Sequence, residues 1–269
     1  MQQHTLAKPI VFNGCGIHTG KFAEVTLMPL PADRGLVFRS NNLTSKYCYP
    51  NVRGNERGTE VVFADGSTVQ TVEHLVSALV GMGVDNALIE IDADETPIKD
   101  GSAKYFVEQI CATGLKEQEQ PKKFFKITEP KKLCADGKFI LALPSENFKV
   151  TFLLDHGRPY AGVDLHTFAY GTDYTADVAP ARTYGFKNEI EWLLSKNKAL
   201  GASLKNALVI AEQGFSTALR FPDELVRHKV LDFIGDITAL GAVPAAEFFV
   251  YKSGHLFTNR FVKEMLADA

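Results

Sequence analysis

The sequence of 269 residues is poor in cysteine, and its cysteines are arranged unfavourably for metal binding or cross-linking. Cys15, Cys48, Cys111 and Cys134 are widely spaced, and no two of them form a CxxC pair. This spacing argues against a thiolate zinc site and against a disulfide framework. We therefore expect the protein to work in the reducing environment of the cytoplasm.

The sequence also lacks a strong charge and a long apolar run. Its 29 Lys and Arg residues face 32 Asp and Glu residues, which gives a formal net charge of −3. Binding to nucleic acid through general attraction to phosphates is therefore not expected. No apolar run approaches the roughly 20 residues that span a membrane, and the first residues lack the pattern of a secretory signal. We expect no transmembrane segment.

Apolar periodicity predicts an α+β fold. Helices are predicted over residues 68–82, 103–112, 189–195, 222–240 and 257–267. Short apolar runs between turn residues predict strands, at 9–12, 25–28, 36–38, 86–92, 124–128, 139–143, 149–154, 207–210 and 247–251.

The two halves of the chain follow the same order of elements near their ends. In each half, a helix with a histidine (His74 or His228) precedes a glycine, a strand, a second glycine (Gly101 or Gly254) and a further helix. The equivalent positions are separated by almost the same number of residues. This pattern favours two structural repeats of α+β type, although little residue identity supports it. The charged stretch 117–123 is the best linker candidate, so we predict domains at residues 1–120 and 121–269.

The predicted helix 222–240 carries a polar stripe opposite its apolar stripe. The apolar stripe consists of Val226, Val230, Phe233, Ile234 and Ile237. His228, Asp232 and Asp236 lie on the other side of the helix. His228 and Asp232 are four residues apart, so both can reach one ion from consecutive turns. Imidazole nitrogen and carboxylate oxygen are ligands that suit Zn²⁺.

The predicted helix 68–82 offers a third ligand. His74 and the neighbouring Glu73 both lie away from the centre of its apolar stripe, where a core histidine would normally be found. Three protein ligands, His74, His228 and Asp232, would leave one zinc position for water, and Glu73 could act as a base beside it.

A polar stripe on an amphipathic helix is more commonly just the face that contacts solvent. Three features favour the metal site. Arg227 and Lys229 flank the stripe, and a second helix carries Glu73 and His74. His255 also lies at a predicted strand-to-helix junction, where functional groups often collect. The pattern therefore favours a metal-dependent hydrolase and leaves the solvated-face interpretation open.

The sequence resembles the zinc-dependent UDP-3-O-acyl-N-acetylglucosamine deacetylases of bacterial lipid A biosynthesis. The matching motifs run through nearly the whole chain, at residues 14–20, 71–75, 83–86, 98–103, 179–186, 219–221, 224–229, 231–236 and 251–255. The resemblance implies two similar domains, each a layer of helices on a mostly antiparallel sheet, packed face to face with the active site between them.

The resemblance also implies the reaction and the central residues. The reaction would be hydrolysis of the 2-acetamido group of UDP-3-O-(3-hydroxyacyl)-N-acetylglucosamine, which releases acetate and is the committed step of lipid A biosynthesis. Zinc would be held by His74, His228 and Asp232. Glu73 would be the general base, and Thr183 would help to hold the oxyanion.

Further roles follow from the same resemblance. His255 would be the charged histidine beside the leaving group, oriented by Asp236, and Lys229 and Tyr184 would contact the substrate. Insertions in the two halves would cover the site, and the insertion before Ala179 would help to form a passage for the acyl chain. We expect a monomer that binds this UDP-sugar and no nucleic acid.

The sequence departs from the family pattern at Tyr184, where phenylalanine is expected, and at Ala218, where glycine is usual. Residues 155–168, expected near the nucleotide, match loosely, and the role of His18 is open. Phe186, Ile190, Trp192 and Leu193 are candidates for the acyl passage or for ordinary packing. Two alternatives remain at this point: a zinc amidohydrolase with another acylated substrate, and a binding protein that has lost catalysis.

Overall fold

A computed structural model describes residues 1–158 and 160–267. The first half of the chain forms, in order, β1 (Gln2–Leu6), β2 (Ile10–Cys15), β3 (Phe22–Pro29), β4 (Leu36–Ser40), β5 (Leu43–Lys46), β6 (Val52–Gly54), β7 (Thr59–Val62), β8 (Thr68–Gln70), α1 (Glu73–Gly81), β9 (Ala87–Ile91), α2 (Lys104–Thr113) and β10 (Leu115–Pro121).

The second half forms, in order, β11 (Phe124–Lys126), β12 (Lys131–Ala135), β13 (Lys138–Pro144), β14 (Lys149–Asp155), β15 (Val163–Ala169), α3 (Tyr174–Asp177), β16 (Tyr184–Phe186), α4 (Ile190–Ser195), β17 (Leu208–Ala211), β18 (Gly214–Phe215), α5 (Glu224–Ile237), β19 (Val243–Tyr251) and α6 (His255–Ala267). Single 3₁₀ turns precede α4, at Lys187–Glu189, and follow α5, at Thr238–Leu240.

The two main sheets have the same topology. The first has the strand order β2-β3-β9-β4-β5, and the second has the order β12-β13-β19-β14-β15, with β11 also pairing with β19. Along each five-strand path, one pair is parallel (β4 with β9, and β14 with β19) and the other pairs are antiparallel. The predicted α+β class and the predicted repeat are therefore confirmed, although the repeat is visible in strand pairing rather than in residue identity.

Each repeat contains an insertion at the equivalent place, before the helix that precedes its central strand. The first insertion forms the small sheet β6-β7-β8, ahead of α1. The second contains α3, α4 and the small sheet β16-β17-β18, ahead of α5. The repeats thus place α1 and α5 in corresponding positions.

Helices α1 and α5 pack against each other between the sheets. Residues 73–80 of α1 are all buried, and on α5 the predicted polar stripe of His228, Asp232 and Asp236 is 2–5% exposed. On its other side, Phe233 of α5 packs against Phe152 and Phe248 of the second sheet. The solvated-face interpretation is therefore wrong, because the polar stripe of α5 faces a second helix instead of water.

Two local predictions are corrected by strand pairing. The helix predicted from residue 68 begins at Glu73, because residues 68–70 form β8 and pair with β7. The predicted linker 117–123 largely belongs to β10, which pairs antiparallel with β1. The division into domains at residues 120 and 121 stays a prediction. Among the described residues, no helix has both the length and the apolar character needed to cross a membrane.

Candidate metal centre and active site

Three side chains from α1 and α5 converge at the middle of the helix pair. Asp232 Oδ1 lies 3.5 Å from His74 Nε2 and 3.3 Å from His228 Nε2. One potential ligand atom from each of the three residues lies within 4.8 Å of the other two. The rings of His74 and His228 are nearly perpendicular, with centroids 4.9 Å apart. The predicted metal ligands are therefore brought together, and all three are buried.

The surroundings keep His228 in the form that binds a cation. Its Nδ1 lies 3.1 Å from the Ala181 carbonyl oxygen, an arrangement that places the proton on Nδ1 and leaves the lone pair on Nε2, toward Asp232. Burial, together with the nearby positive charges, lowers the pKa of His228 to about 3, although Asp232 opposes this. His228 is therefore neutral near pH 7.

The carboxylate of Asp232 is ionised. Burial alone would raise its pKa, but the positive charges of Lys229 and His255 and the nearby His74 outweigh burial and hold the pKa well below its ordinary value. Its Oδ2 accepts a hydrogen bond from Lys229 Nζ at 2.6 Å.

An unpartnered carboxylate oxygen indicates that a cation fits this site. Asp232 Oδ1 faces Nε2 of both His74 and His228 and is buried without a hydrogen-bond partner among the described residues. Leaving a buried polar atom unpaired normally costs about 1–3 kcal/mol. A carboxylate oxygen facing two imidazole nitrogens is a donor set that suits a divalent transition metal, Zn²⁺ in particular.

Glu73 begins α1 and is 2% exposed. Its Oε2 accepts a hydrogen bond from the backbone N–H of Thr59 at 2.9 Å, which orients the carboxylate. Burial raises the pKa of Glu73, partly offset by His255 and His74. The carboxylate is therefore a stronger base than an exposed glutamate and lies directly beside the proposed metal ligand His74.

His255 begins α6 and faces Asp236 of α5. His255 Nδ1 lies 2.9 Å from Asp236 Oδ2, and Asp236 Oδ1 accepts a 2.6 Å hydrogen bond from the Thr59 hydroxyl. Burial alone would lower the pKa of His255, but Asp236 and the other carboxylates raise it to about 9. The imidazolium predicted from the sequence is thus matched by its surroundings. Thr59 begins β7 and belongs to no motif recognised in the sequence, so sequence reasoning missed it.

Lys229 and Tyr184 lie on one side of the metal ligands. Lys229 Nζ is 5.5 Å from the centroid of the Tyr184 ring, and the Tyr184 hydroxyl is 3.0 Å from His156 Nε2. Burial, with help from Lys229, lowers the pKa of His156 to about 4, so this ring is neutral. His156 has no role in the sequence prediction, and the structure places it beside a predicted substrate contact.

Thr183 is held by the loop between β9 and α2 of the first half. Its backbone N–H donates to the Gly101 carbonyl oxygen at 2.7 Å. Gly101 has a φ of +84°, and a Cβ there would lie 2.1 Å from the Asn206 carbonyl oxygen, so only glycine is accommodated. The preceding Arg182 donates to the fully buried Glu224 at the start of α5. This pair connects the Thr183 segment with the helix that carries His228, and sequence reasoning missed it.

A cavity of about 370 Å³ opens from the candidate metal centre. Glu73, His74 and Thr183 line one end of it. The remaining lining is mainly apolar and includes Ile17, Tyr184, Phe186, Ile190, Leu193, Leu194, Leu204 and Leu208. Three of the four passage candidates, Phe186, Ile190 and Leu193, are among these residues, and Trp192 is not. The lining residues from the second half, 183–209, follow Ala179, whereas the insertion predicted to form the acyl passage precedes it. The role of that insertion stays a prediction.

The remaining histidines lie apart from the metal ligands. His18 lines the cavity, and its backbone N–H donates to Glu95 at 2.9 Å. His166 lies between Asp177 and Asp223, and His4 lies near Glu117 at the surface.

Comparison with known proteins agrees with this geometry. The model of the family described as UDP-3-O-acyl N-acetylglycosamine deacetylase matches residues 3–267. Curated proteins named UDP-3-O-acyl-N-acetylglucosamine deacetylase are similar over 99% of this chain. The relative from Saccharophagus degradans is 41% identical, and the match covers 90% of its length. The relative from Cellvibrio japonicus is 42% identical over 90% of its length, and the relative from Syntrophotalea carbinolica is 38% identical over 88% of its length. The chain belongs to the UDP-3-O-acyl-N-acetylglucosamine deacetylase family.

Proposed function

We propose that this chain is a zinc-dependent deacetylase. It hydrolyses the 2-acetamido group of UDP-3-O-(3-hydroxyacyl)-N-acetylglucosamine and releases acetate, the committed step of lipid A biosynthesis. The observation that carries this proposal is the convergence of His74, His228 and Asp232 beside Glu73 at the end of an apolar cavity. We further propose that it acts as a monomer in the cytoplasm and does not bind nucleic acid.

His74, His228 and Asp232 would hold the zinc ion. When bound, zinc polarises the amide carbonyl and lowers the pKa of a water molecule. Glu73 takes a proton from the attacking water. Its Oε2 is engaged by the Thr59 N–H, so the second carboxylate oxygen is the one available to receive that proton.

Two further groups stabilise the charge that develops on the carbonyl oxygen. The Thr183 hydroxyl donates a hydrogen bond to the oxyanion, and His255, kept charged by Asp236, lies on the other side of the site. The amine must gain a proton before it leaves. Either Glu73 returns the proton it took or His255 supplies its own.

The rest of the substrate extends away from the metal ligands. Lys229 supplies positive charge for the UDP-sugar, and Tyr184, whose ring lies near Lys229, lines the apolar cavity. The cavity receives the 3-O-acyl chain. Binding energy from this remote chain positions the reacting amide, so it contributes to the rate of chemistry as well as to affinity.

The test compares acetate release from three compounds: the complete substrate, the UDP-sugar without its 3-O-acyl chain, and simple N-acetylglucosamine. We expect fast turnover of the first only. Equal kcat/KM with and without the acyl chain would contradict the acyl passage. Absence of acetate release from all three, in protein loaded with zinc, would instead favour a binding protein that has lost catalysis.

A further inference from the structure

Helix α4 and the loop after it expose apolar side chains at the mouth of the cavity. Trp192, Leu194, Leu200 and Leu204 are 45%, 47%, 52% and 58% exposed, and we call these four residues the apolar rim. Leu194 and Leu204 also line the cavity. The rim is therefore continuous with the apolar interior, and clustered exposed apolar groups of this kind mark interaction surfaces.

The rim is fixed in place by contacts with the first half of the chain. The Arg57 guanidinium lies over the Trp192 ring, 5.4 Å from its centroid. The backbone N–H of Leu200 donates to the His18 carbonyl oxygen at 3.0 Å. These contacts connect the helix and the loop that carry the rim to the first half of the chain.

The segment that carries the rim is basic. The segment 187–205 carries Lys187, Lys196, Lys198 and Lys205 against two glutamates. One of these, Glu189, already pairs with Arg57 and Arg158. The excess of positive charge in this segment contrasts with the net charge of −3 of the whole chain.

We propose that the apolar rim docks on a lipid bilayer that contains anionic lipids. The four side chains enter the headgroup region, where tryptophan is favoured, and the surrounding lysines contact anionic headgroups. A second copy of the chain fits this surface less well, because it would bring like-charged lysines together. The inference deepens the proposed function, on which it rests for one step: an acylated substrate would enter the cavity directly from the bilayer.

Trp192 provides a specific probe because it is the single tryptophan of the chain. The unmodified protein is mixed with vesicles of phosphatidylglycerol and phosphatidylethanolamine, or of phosphatidylcholine alone. In the anionic vesicles only, we expect the Trp192 emission to shift to the blue and to be quenched by lipids with brominated acyl chains. Both effects should become smaller as the salt concentration rises. Unchanged emission in anionic vesicles, from protein that deacetylates its substrate, would overturn the docking proposal and leave the proposed function intact.

Matched variants separate docking from general stickiness. Leu194→Ser combined with Leu200→Ser should weaken vesicle binding about tenfold, and Lys187→Glu and Lys196→Glu about fivefold each. Phe22→Ser removes an apolar side chain that is 63% exposed on β3 and should leave binding unchanged. Equal effects of all these variants would contradict the proposal. So would self-association that depends on the rim and occurs without vesicle binding, because it would assign the rim to a second copy.

Discussion

At the scale of single residues, the proposed mechanism needs Glu73 deprotonated and His255 protonated at the same pH. Both are buried, and burial disfavours the charged form of each. His255 has the Asp236 carboxylate within hydrogen-bond distance, which keeps the imidazolium charged. Glu73 is oriented by a backbone N–H, and no comparable cation among the described residues is hydrogen-bonded to it. The surroundings therefore suit one group to accept a proton and the other to remain positive.

Replacing Glu73 tests its role as base. Glu73→Gln keeps the size of the side chain and removes its basicity, so we expect the rate of acetate release to fall roughly 10²- to 10⁴-fold, while zinc stays bound. Glu60→Gln, on β7, serves as the control and should be unaffected. A Glu73→Gln enzyme with near wild-type kcat would show that another group accepts the proton.

Replacing His255 tests whether its charge is needed. His255→Gln retains polarity but cannot carry a positive charge, and we expect a fall in kcat of the same order, roughly 10²- to 10⁴-fold. Asp236→Asn should also slow the reaction, because the imidazolium loses its anionic partner. If His255 merely caps the start of α6, His255→Gln would be nearly as active as the wild type, and the proposed role would have to be withdrawn.

At the scale of elements, the crossing of α1 and α5 depends on one small residue. A Cβ at Gly235 would lie 2.4 Å from the Glu73 carbonyl oxygen. Gly235→Ala should therefore push the two helices apart, lower the free energy of unfolding by about 1–3 kcal/mol, and weaken zinc binding. Gly185→Ala is the matched control, since nothing lies within 4 Å of its added Cβ. Denaturant unfolding measures both, and equal stability of the two variants would contradict this packing argument.

The elements also show what the sequence could and could not predict. The His228–Asp232 pair was predictable because a spacing of four residues on a helix is a local property. The burial of that pair was not, because it requires α1 to cover the stripe. The apolar periodicity of α1 extends back to residues 68–70 and predicts a helix there. These residues instead pair with β7, because strand pairing outweighs the local pattern. Thr59 reaches Asp236 from a sequence distance of 177 residues, which no spacing rule detects.

At the scale of the whole molecule, the two halves are joined by a charged contact next to the site. Arg220 donates to Asp100 at 2.8 Å and to the Pro180 carbonyl oxygen at 2.7 Å. Burial alone would raise the pKa of Asp100, but the hydrogen bonds from Arg220 and Ser102 lower it below its ordinary value. Lys99 adds a further positive charge close by.

The depressed pKa has a predictable consequence for stability. The contribution of Asp100 to the free energy of unfolding is fully present above the ordinary carboxyl pKa of about 4. It is lost as the pH falls through the lower pKa that Asp100 has in the folded state. Asp100→Asn should therefore reduce the free energy of unfolding at pH 7 and make progressively less difference below about pH 4. In an Arg220→Gln background the same change should have little effect at either pH. A pH-independent difference between wild type and Asp100→Asn would contradict the role of this contact.

The repeated topology explains why the centre lies between the halves. Equivalent helices, α1 and α5, meet face to face, and each carries residues of the proposed metal centre, which neither repeat could build alone. The order of motifs along the chain predicted this arrangement through family resemblance, and the elements alone suggested it only weakly. The cavity and the apolar rim, with its neighbouring lysines, were less predictable from the sequence. They arise where the second insertion meets the first half of the chain.

The most direct test of the proposed metal centre measures zinc content together with acetate release. The proteins compared are the wild type, His74→Ala, His228→Ala and the surface control His4→Ala. We predict a single zinc ion per chain and full activity in the wild type and the control, and loss of both in the two ligand variants, because water replaces a protein ligand poorly. Full zinc occupancy in both ligand variants, or undiminished acetate release after zinc is removed, would contradict the proposed metal centre.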